Sequence, residues 1–157
     1  MSDKIIRKIA VIFVTDVVNF SKLMERDEDQ TLQSFRACKS ILDNLFEEHS
    51  GRIFNTAGDS VLAEFPSAVS AVICAAEFQK LVKERNASVE PLAEMHFRVG
   101  LNMGDVIVEG HNLYGDGVNV AARLEALSQP DGVCVSKSIH DFVSQKVDLA
   151  FKDLGDQ

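Results

Sequence analysis

Arg52-Ile-Phe-Asn-Thr56 and Ser60-Val-Leu-Ala-Glu-Phe65 are two short runs of strand-forming residues separated only by Ala57-Gly58-Asp59. Runs of this length with Gly-Asp between them read as a β-hairpin, and Asp59 falls at its tip. Helical patterns flank the hairpin. Upstream, Asp27 with Gln30 three residues on is a capping-box pattern, and Leu32, Phe35, Ile41, Leu42, Leu45 and Phe46 trace an apolar stripe to about His49, with Gly51 closing the helix. Downstream, Pro66-Ser67 marks a boundary, and Ala71, Val72, Ala75, Phe78 and Val82 form a second amphipathic stripe. Arg85 to Ala93 is a polar connection containing Pro91.

Further out, Ile9 to Thr15 is β-branched and apolar and reads as a buried strand, while Met95 to Gly100 and Asp105 to Gly110 read as two strand segments. Strand, helix, hairpin, helix, strand predicts an α+β domain with a ferredoxin-like βαββαβ core, a mainly antiparallel sheet and helices packed on one side. A C-terminal α/β extension follows. It comprises a helix from Asp116 or Gly117 to Leu127 that buries Val120, Leu124 and Leu127, a turn at Gln129 to Gly132, a strand from Gly132 to Ser136, a helix from Ser138 to Lys146, and an extended segment from Leu149 to Leu154. Gly100 and Gly104 read as bulge or turn positions.

With 157 residues, 46% of them apolar, the chain makes one domain over residues 1–157 with a real core. A net charge of −8 argues against a nucleic-acid partner, whose binding is driven by Lys and Arg displacing counterions. An acidic protein still binds a nucleotide when a divalent cation brings the positive charge. Cys38, Cys74 and Cys134 are widely spaced in apolar surroundings and read as buried thiols of a reducing compartment, without zinc spacing. No run reaches the length of a membrane span or a signal-peptide core, which predicts a soluble, cytoplasmic chain.

Two aspartates carry the chemistry. Asp16 ends the apolar run from Ile9, and a carboxylate there is costly to desolvate unless a charge compensates it. Asp59 alone reads as turn chemistry. Brought together by adjacent strands, the two would repel until a cation arrived, so a divalent metal site is the natural solution. Asn119 and Arg123, four apart in Tyr114-Gly-Asp-Gly-Val-Asn119-Val-Ala-Ala-Arg123, share one helix face. Such a face is ordinarily solvated, but Gly115 and Gly117 permit close backbone approach where helix N–H groups favour phosphate. His49, His96, His111 and His140 lack ligand spacing.

Several ordered segments together resemble the class III nucleotidyl cyclase catalytic domain, the adenylate and guanylate cyclase family. Phe13-Val-Thr-Asp16-Val-Val-Asn-Phe20 is similar to its first metal-binding segment and Thr56-Ala-Gly-Asp59-Ser-Val-Leu-Ala-Glu-Phe65 to its second. Arg98-Val-Gly-Leu-Asn-Met-Gly104 is similar to its central glycine strand, and Val118-Asn-Val-Ala-Ala-Arg-Leu124 to its Asn/Arg helix. The resemblance implies two divalent ions, Mg²⁺ or Mn²⁺, held by Asp16, Asp59 and the Val17 carbonyl. It implies that Asn119 and Arg123 bind ribose and phosphate in the transition state, and that a homodimer shares its active sites across a two-fold interface. The implied activity is conversion of ATP to 3′,5′-cyclic AMP and pyrophosphate. Asn55 and Asn112 stand where adenylate cyclases commonly carry Lys and Asp and guanylate cyclases Glu and Cys. Either amide can donate or accept, so both are expected base-binding residues with loose selectivity and GTP as the alternative substrate. A non-catalytic nucleotide-binding module is the other alternative. The family's final C-terminal segment is expected to be missing after Asp153-Leu-Gly-Asp-Gln157.

Overall fold

Ile12 and Phe13 are both fully buried although they are neighbours on one strand, so the strand that carries them must be covered on both faces. In the computed structural model, which describes residues 5–155, that strand is β1 (Ile6–Val17), followed by α1 (Phe20–Arg26) and α2 (Glu28–His49). The hairpin strands β2 (Arg52–Ala57) and β3 (Ser60–Phe65) come next, then α3 (Ala68–Ala87) and a 3₁₀ turn at Pro91–Ala93. The chain continues through β4 (Phe97–Glu109), β5 (Asn112–Tyr114), α4 (Asp116–Leu127), β6 (Val133–Val135) and α5 (Lys137–Val143). Met1 to Lys4, and Asp156 and Gln157 of the closing segment, lie outside the described residues.

The sheet order is β2-β3-β1-β4-β5, with antiparallel neighbours throughout, and β6 pairs in parallel with β4. The first four of these strands give the ferredoxin-like arrangement. Their two crossover helices lie on one face, where Phe13, Phe46, Phe65, Phe78 and Phe97 form the aromatic centre of the larger core. From the C-terminal extension, α4 lies on the opposite face and packs Val118 and Ala121 over Ala10, Ile12, Val14 and Val106. The three cysteines are buried and free, as the apolar surroundings imply.

Local chemistry sets the boundaries. The Asp27 side chain accepts from the Gln30 N–H at 3.0 Å, while the Gln30 side chain turns to Ser34, so only half of the capping box forms. Ser67 and Ser136 cap α3 and α5 in the same way. At the hairpin, Gly58 takes φ 58° with open space where a Cβ would be, so the turn needs its conformation and not its small size. The two expected segments Met95–Gly100 and Asp105–Gly110 are one continuous strand, β4, because Leu101, Asn102 and Met103 stay in register with β1. The segment from Leu149 to Leu154, expected to be extended, forms no regular strand. No helix among the described residues is long and apolar enough to cross a membrane.

Candidate active site

The end of β1 and the tip of the β2–β3 hairpin converge. Thr15↔Val61 is the last register pair between β1 and β3, which leaves Asp16 and Val17 beside the hairpin turn. The Val17 main-chain N–H donates to Asp59 Oδ2 at 2.8 Å, tying hairpin to strand. On the other side of β1, Asp16 pairs in register with Arg98, and the Thr15 hydroxyl donates to the Arg98 carbonyl at 2.7 Å. Asp16 Oδ1 is buried and accepts no hydrogen bond. An orphaned carboxylate oxygen is expensive in a folded protein and marks a position built for a partner.

A third acid completes the cluster. Glu125 of α4 is only 6% exposed and sits against Asp16. Burial, then its hydrogen bond to Asp16 and that neighbour's charge, push its carboxyl up to about 8, with Asp59 adding to the rise and Arg98 opposing it. At neutral pH Glu125 is therefore protonated. The expected burial of Val120, Leu124 and Leu127 on this helix is not what the structure has: the stripe facing the sheet is Gly117, Val118, Ala121 and Glu125, and Leu127 is 42% exposed. The reason is Gly100. A Cβ on it would lie 2.3 Å from the Glu125 nitrogen and 2.4 Å from the Ala121 carbonyl oxygen, so the helix rests directly on the β4 backbone and only small residues fit beneath it. Gly100 and Gly104 therefore act within a regular strand and not as bulges. Glu125 escaped the sequence reading because the larger apolar residues drew the stripe to the wrong side of the helix. A charged residue spaced at seven and four from Val118 and Ala121 is the signal that finds it.

Asn119 and Arg123 share an exposed face, as their spacing implies, and neither side chain makes a hydrogen bond or ion pair among the described residues. At about 100° per residue, Arg123 projects roughly 200° around the helix from Glu125, away from the acids. The structure thus brings Asp16, Val17 and Asp59 together and leaves Asn119 and Arg123 apart from them. Asn102, buried, anchors the start of α4 through its Nδ2 to the Gly117 carbonyl at 2.9 Å.

Asn55 and Asn112 belong to strands at opposite ends of the sheet order, yet the sheet curls over α4 and its edges meet. Arg52 donates to the His111 carbonyl at 2.7 Å, and Phe54 and Leu113 enter the same core cluster. Arg52 and Lys8 also flank Glu64, whose carboxyl is held below its ordinary range: burial raises it, and the hydrogen bonds and charges of Lys8 and Arg52 together outweigh that. Asn55 is exposed after a register shift between Ile53 and Asn55.

The donor set at the β1–hairpin junction suits a hard divalent cation: two carboxylates, one with an orphaned oxygen, and the neighbouring Val17 carbonyl. Among the described residues no three side chains of His, Cys, Asp and Glu are placed to hold a metal, so the third oxygen must come from backbone or ligand.

Residues 1–156 match the family model described as "Adenylate and Guanylate cyclase catalytic domain". The chain is 46% identical over 154 residues to the Rhizobium meliloti protein named "Putative adenylate cyclase 3", and 33% identical over 130 residues to an adenylate cyclase of Streptomyces coelicolor. These alignments take 98% and 82% of this chain but 26% and 32% of the relatives, so the chain spans about a quarter to a third of their length. Among solved structures, an adenylate/guanylate cyclase/hydrolase from Silicibacter pomeroyi superposes with a TM-score of 0.89 at 35% identity, covering 97% of this chain and 89% of that one.

Proposed function

This chain belongs to the adenylate and guanylate cyclase catalytic-domain family, and from that premise we propose that it converts ATP to 3′,5′-cyclic AMP and pyrophosphate at sites shared between two copies. Asp16, Asp59 and the Val17 carbonyl hold two divalent ions, Mg²⁺ or Mn²⁺, in this reading. The chemistry such ions supply is acidification of the ribose 3′-hydroxyl and neutralisation of the polyphosphate charge. The 3′-oxygen forms a bond to the α-phosphorus, the bond to pyrophosphate breaks, and the hydroxyl proton leaves to solvent. Arg123 of the second copy stabilises the charge that develops around phosphorus, and its Asn119 orients the ribose without adding charge. Asn55 and Asn112 lie along the rim that receives the base.

The observation that carries this reading is the arrangement of α4. One side delivers Glu125 to the acids of its own chain, and the other offers Asn119 and Arg123, unengaged, to solvent. Partly buried Val120 and Leu124 and the exposed Leu127 continue that outer flank with an apolar strip suited to a partner subunit. The relatives named as adenylate cyclases favour ATP, and the neutral amides at Asn55 and Asn112 keep GTP as the second reading. A cytoplasmic setting accords with three free buried thiols.

The test is to incubate the purified protein with Mn²⁺ and ATP or GTP and to resolve cyclic from linear products. Cyclic AMP formed in step with pyrophosphate is expected. Nucleotide binding without turnover would leave the non-catalytic module as the better reading.

A further inference from the structure

On β5, Asn112 and Tyr114 are two residues apart and so point to the same face of the strand, with Leu113 buried between them on the other. Asn112 Oδ1 accepts the Leu113 main-chain N–H at 2.8 Å, and its Nδ2 donates to the Tyr114 hydroxyl at 3.0 Å. A free amide can turn over and present either a donor or an acceptor. This one cannot without setting its NH₂ against the Leu113 N–H. The backbone fixes the sense of the amide, and Tyr114 holds its other end. Asn55, by contrast, is exposed and makes no side-chain hydrogen bond among the described residues.

We propose that Tyr114 is a positioning residue for base selection: it locks Asn112 as a hydrogen-bond donor, and the nucleobase preference of the site depends on that lock. The inference rests on the cyclase reading and deepens it. With the sense of the amide fixed by the backbone, the rim offers as donors the second Nδ2–H and the proton of the 44%-exposed phenol, while Oδ1, already accepting from Leu113, keeps a single lone pair. A base presenting an acceptor there is satisfied, and one presenting N–H leaves donors opposed and unpaired. Selectivity is therefore set at Asn112 and Tyr114 while Asn55 adapts, which departs from the loose selectivity that two free amides imply.

The experiment compares kcat/KM for ATP and GTP with Mn²⁺, alongside equilibrium competition of each against a fluorescent nucleotide, in the wild type, Tyr114→Phe, Asn112→Ala and the double variant. The wild type should prefer one nucleotide by about tenfold or more, and Tyr114→Phe should move the ratio toward one by about fivefold or more. In the Asn112→Ala background the Tyr114 substitution should leave the ratio unchanged. An equal effect of Tyr114→Phe on both nucleotides, a wild type without preference, or a Tyr114 effect that persists without Asn112 would overturn the proposal. A binding ratio that shifts as expected in a protein without turnover would uphold the lock and remove the cyclase reading. Absence of both binding and turnover would remove both.

Discussion

The Val17 N–H and the Asp59 carboxylate are joined across 2.8 Å, so the tip of the hairpin and the end of the central strand form one unit. Asp59 thereby has a structural partner as well as a proposed cation, whereas Asp16 Oδ1 has none. The two substitutions should consequently differ in stability and agree in activity.

Asp16→Ala is expected to lower metal-dependent cyclase activity at least about a hundredfold while largely keeping the Tm of the metal-free protein, because removal of an orphaned buried oxygen offsets the lost hydrogen bond with Glu125. Asp59→Ala is expected to lose activity equally but to cost about 1 kcal/mol through the broken Val17 bond. Chemical denaturation and turnover assays on both variants check this. Near-native activity in either would exclude the two-carboxylate metal role.

Glu125 gives a pH dependence with a definite sign. Its carboxyl stands near 8 in the folded chain against an ordinary value of 4.5, so the native state holds the proton more tightly. The stabilisation is complete below the unfolded value and is lost as pH rises through about 8. Glu125→Gln, which cannot ionise, should match the wild type in stability at about pH 5 and exceed it at about pH 8.5 by a margin on the order of 1–3 kcal/mol, seen as a higher Tm. Thermal melts in chelator measure it, and parallel curves for the two proteins would refute the assignment.

Gly100→Ala tests the close seating of α4. A methyl at 2.3 Å and 2.4 Å from helix backbone atoms cannot be relieved by a rotamer change, so the helix must lift. A loss of roughly 3 kcal/mol or more is expected, together with activity, since Glu125 and Arg123 move as one body. Gly110→Ala, where nothing lies within 4 Å of the added carbon but φ is 60°, should cost only about 1–2 kcal/mol and serves as the control.

Mixing two inactive proteins, Asp16→Ala and Asn119→Ala, should restore turnover when subunits exchange. In a mixed dimer one site inherits both lesions and the other neither. Equal random mixing gives half mixed dimers with one good site each, hence about a quarter of wild-type activity. Heterodimers that form yet stay inactive, beside active wild-type controls, would count against a site shared between copies.

Much of this fold was legible from periodicity and punctuation. The hairpin between Arg52 and Phe65, the Asp27 cap and the β-branched run ending at Asp16 each carry a local signal whose period or turn chemistry permits one reading. The segments that were misread depend on long-range packing. The union of Met95–Gly100 with Asp105–Gly110 is enforced by the β1 ladder, and the short α1 and β5 have too few residues to show a period. On α4, the sheet-facing side was hidden because closeness to Gly100 selects small residues, inverting the usual rule that the bulkiest apolar side chains mark the core. Of the site, the aspartates and the Asn/Arg face were visible as residue types in pattern. Glu125 was marked only by its spacing of seven and four from Val118 and Ala121, and the Tyr114–Asn112 contact only by two-residue spacing on a strand of three residues, too short to show a period.

The β1–β4 ladder, from Ile6↔Val108 to Val17↔Phe97, also bears on how the chain is made. β1 leaves the ribosome before its partners, and β3 covers one of its edges from Val11 to Thr15 once the hairpin has emerged. Its other edge has no partner until β4 is synthesised, a delay of roughly 4–20 s at about 5–20 residues per second. Throughout that interval the Ile9–Val14 run, six consecutive apolar residues, is an uncapped template for pairing with other nascent chains. The strand that organises the finished sheet is thus an aggregation hazard during translation, and slowing synthesis between Phe65 and Glu109 should lower soluble yield more than slowing it after Glu109.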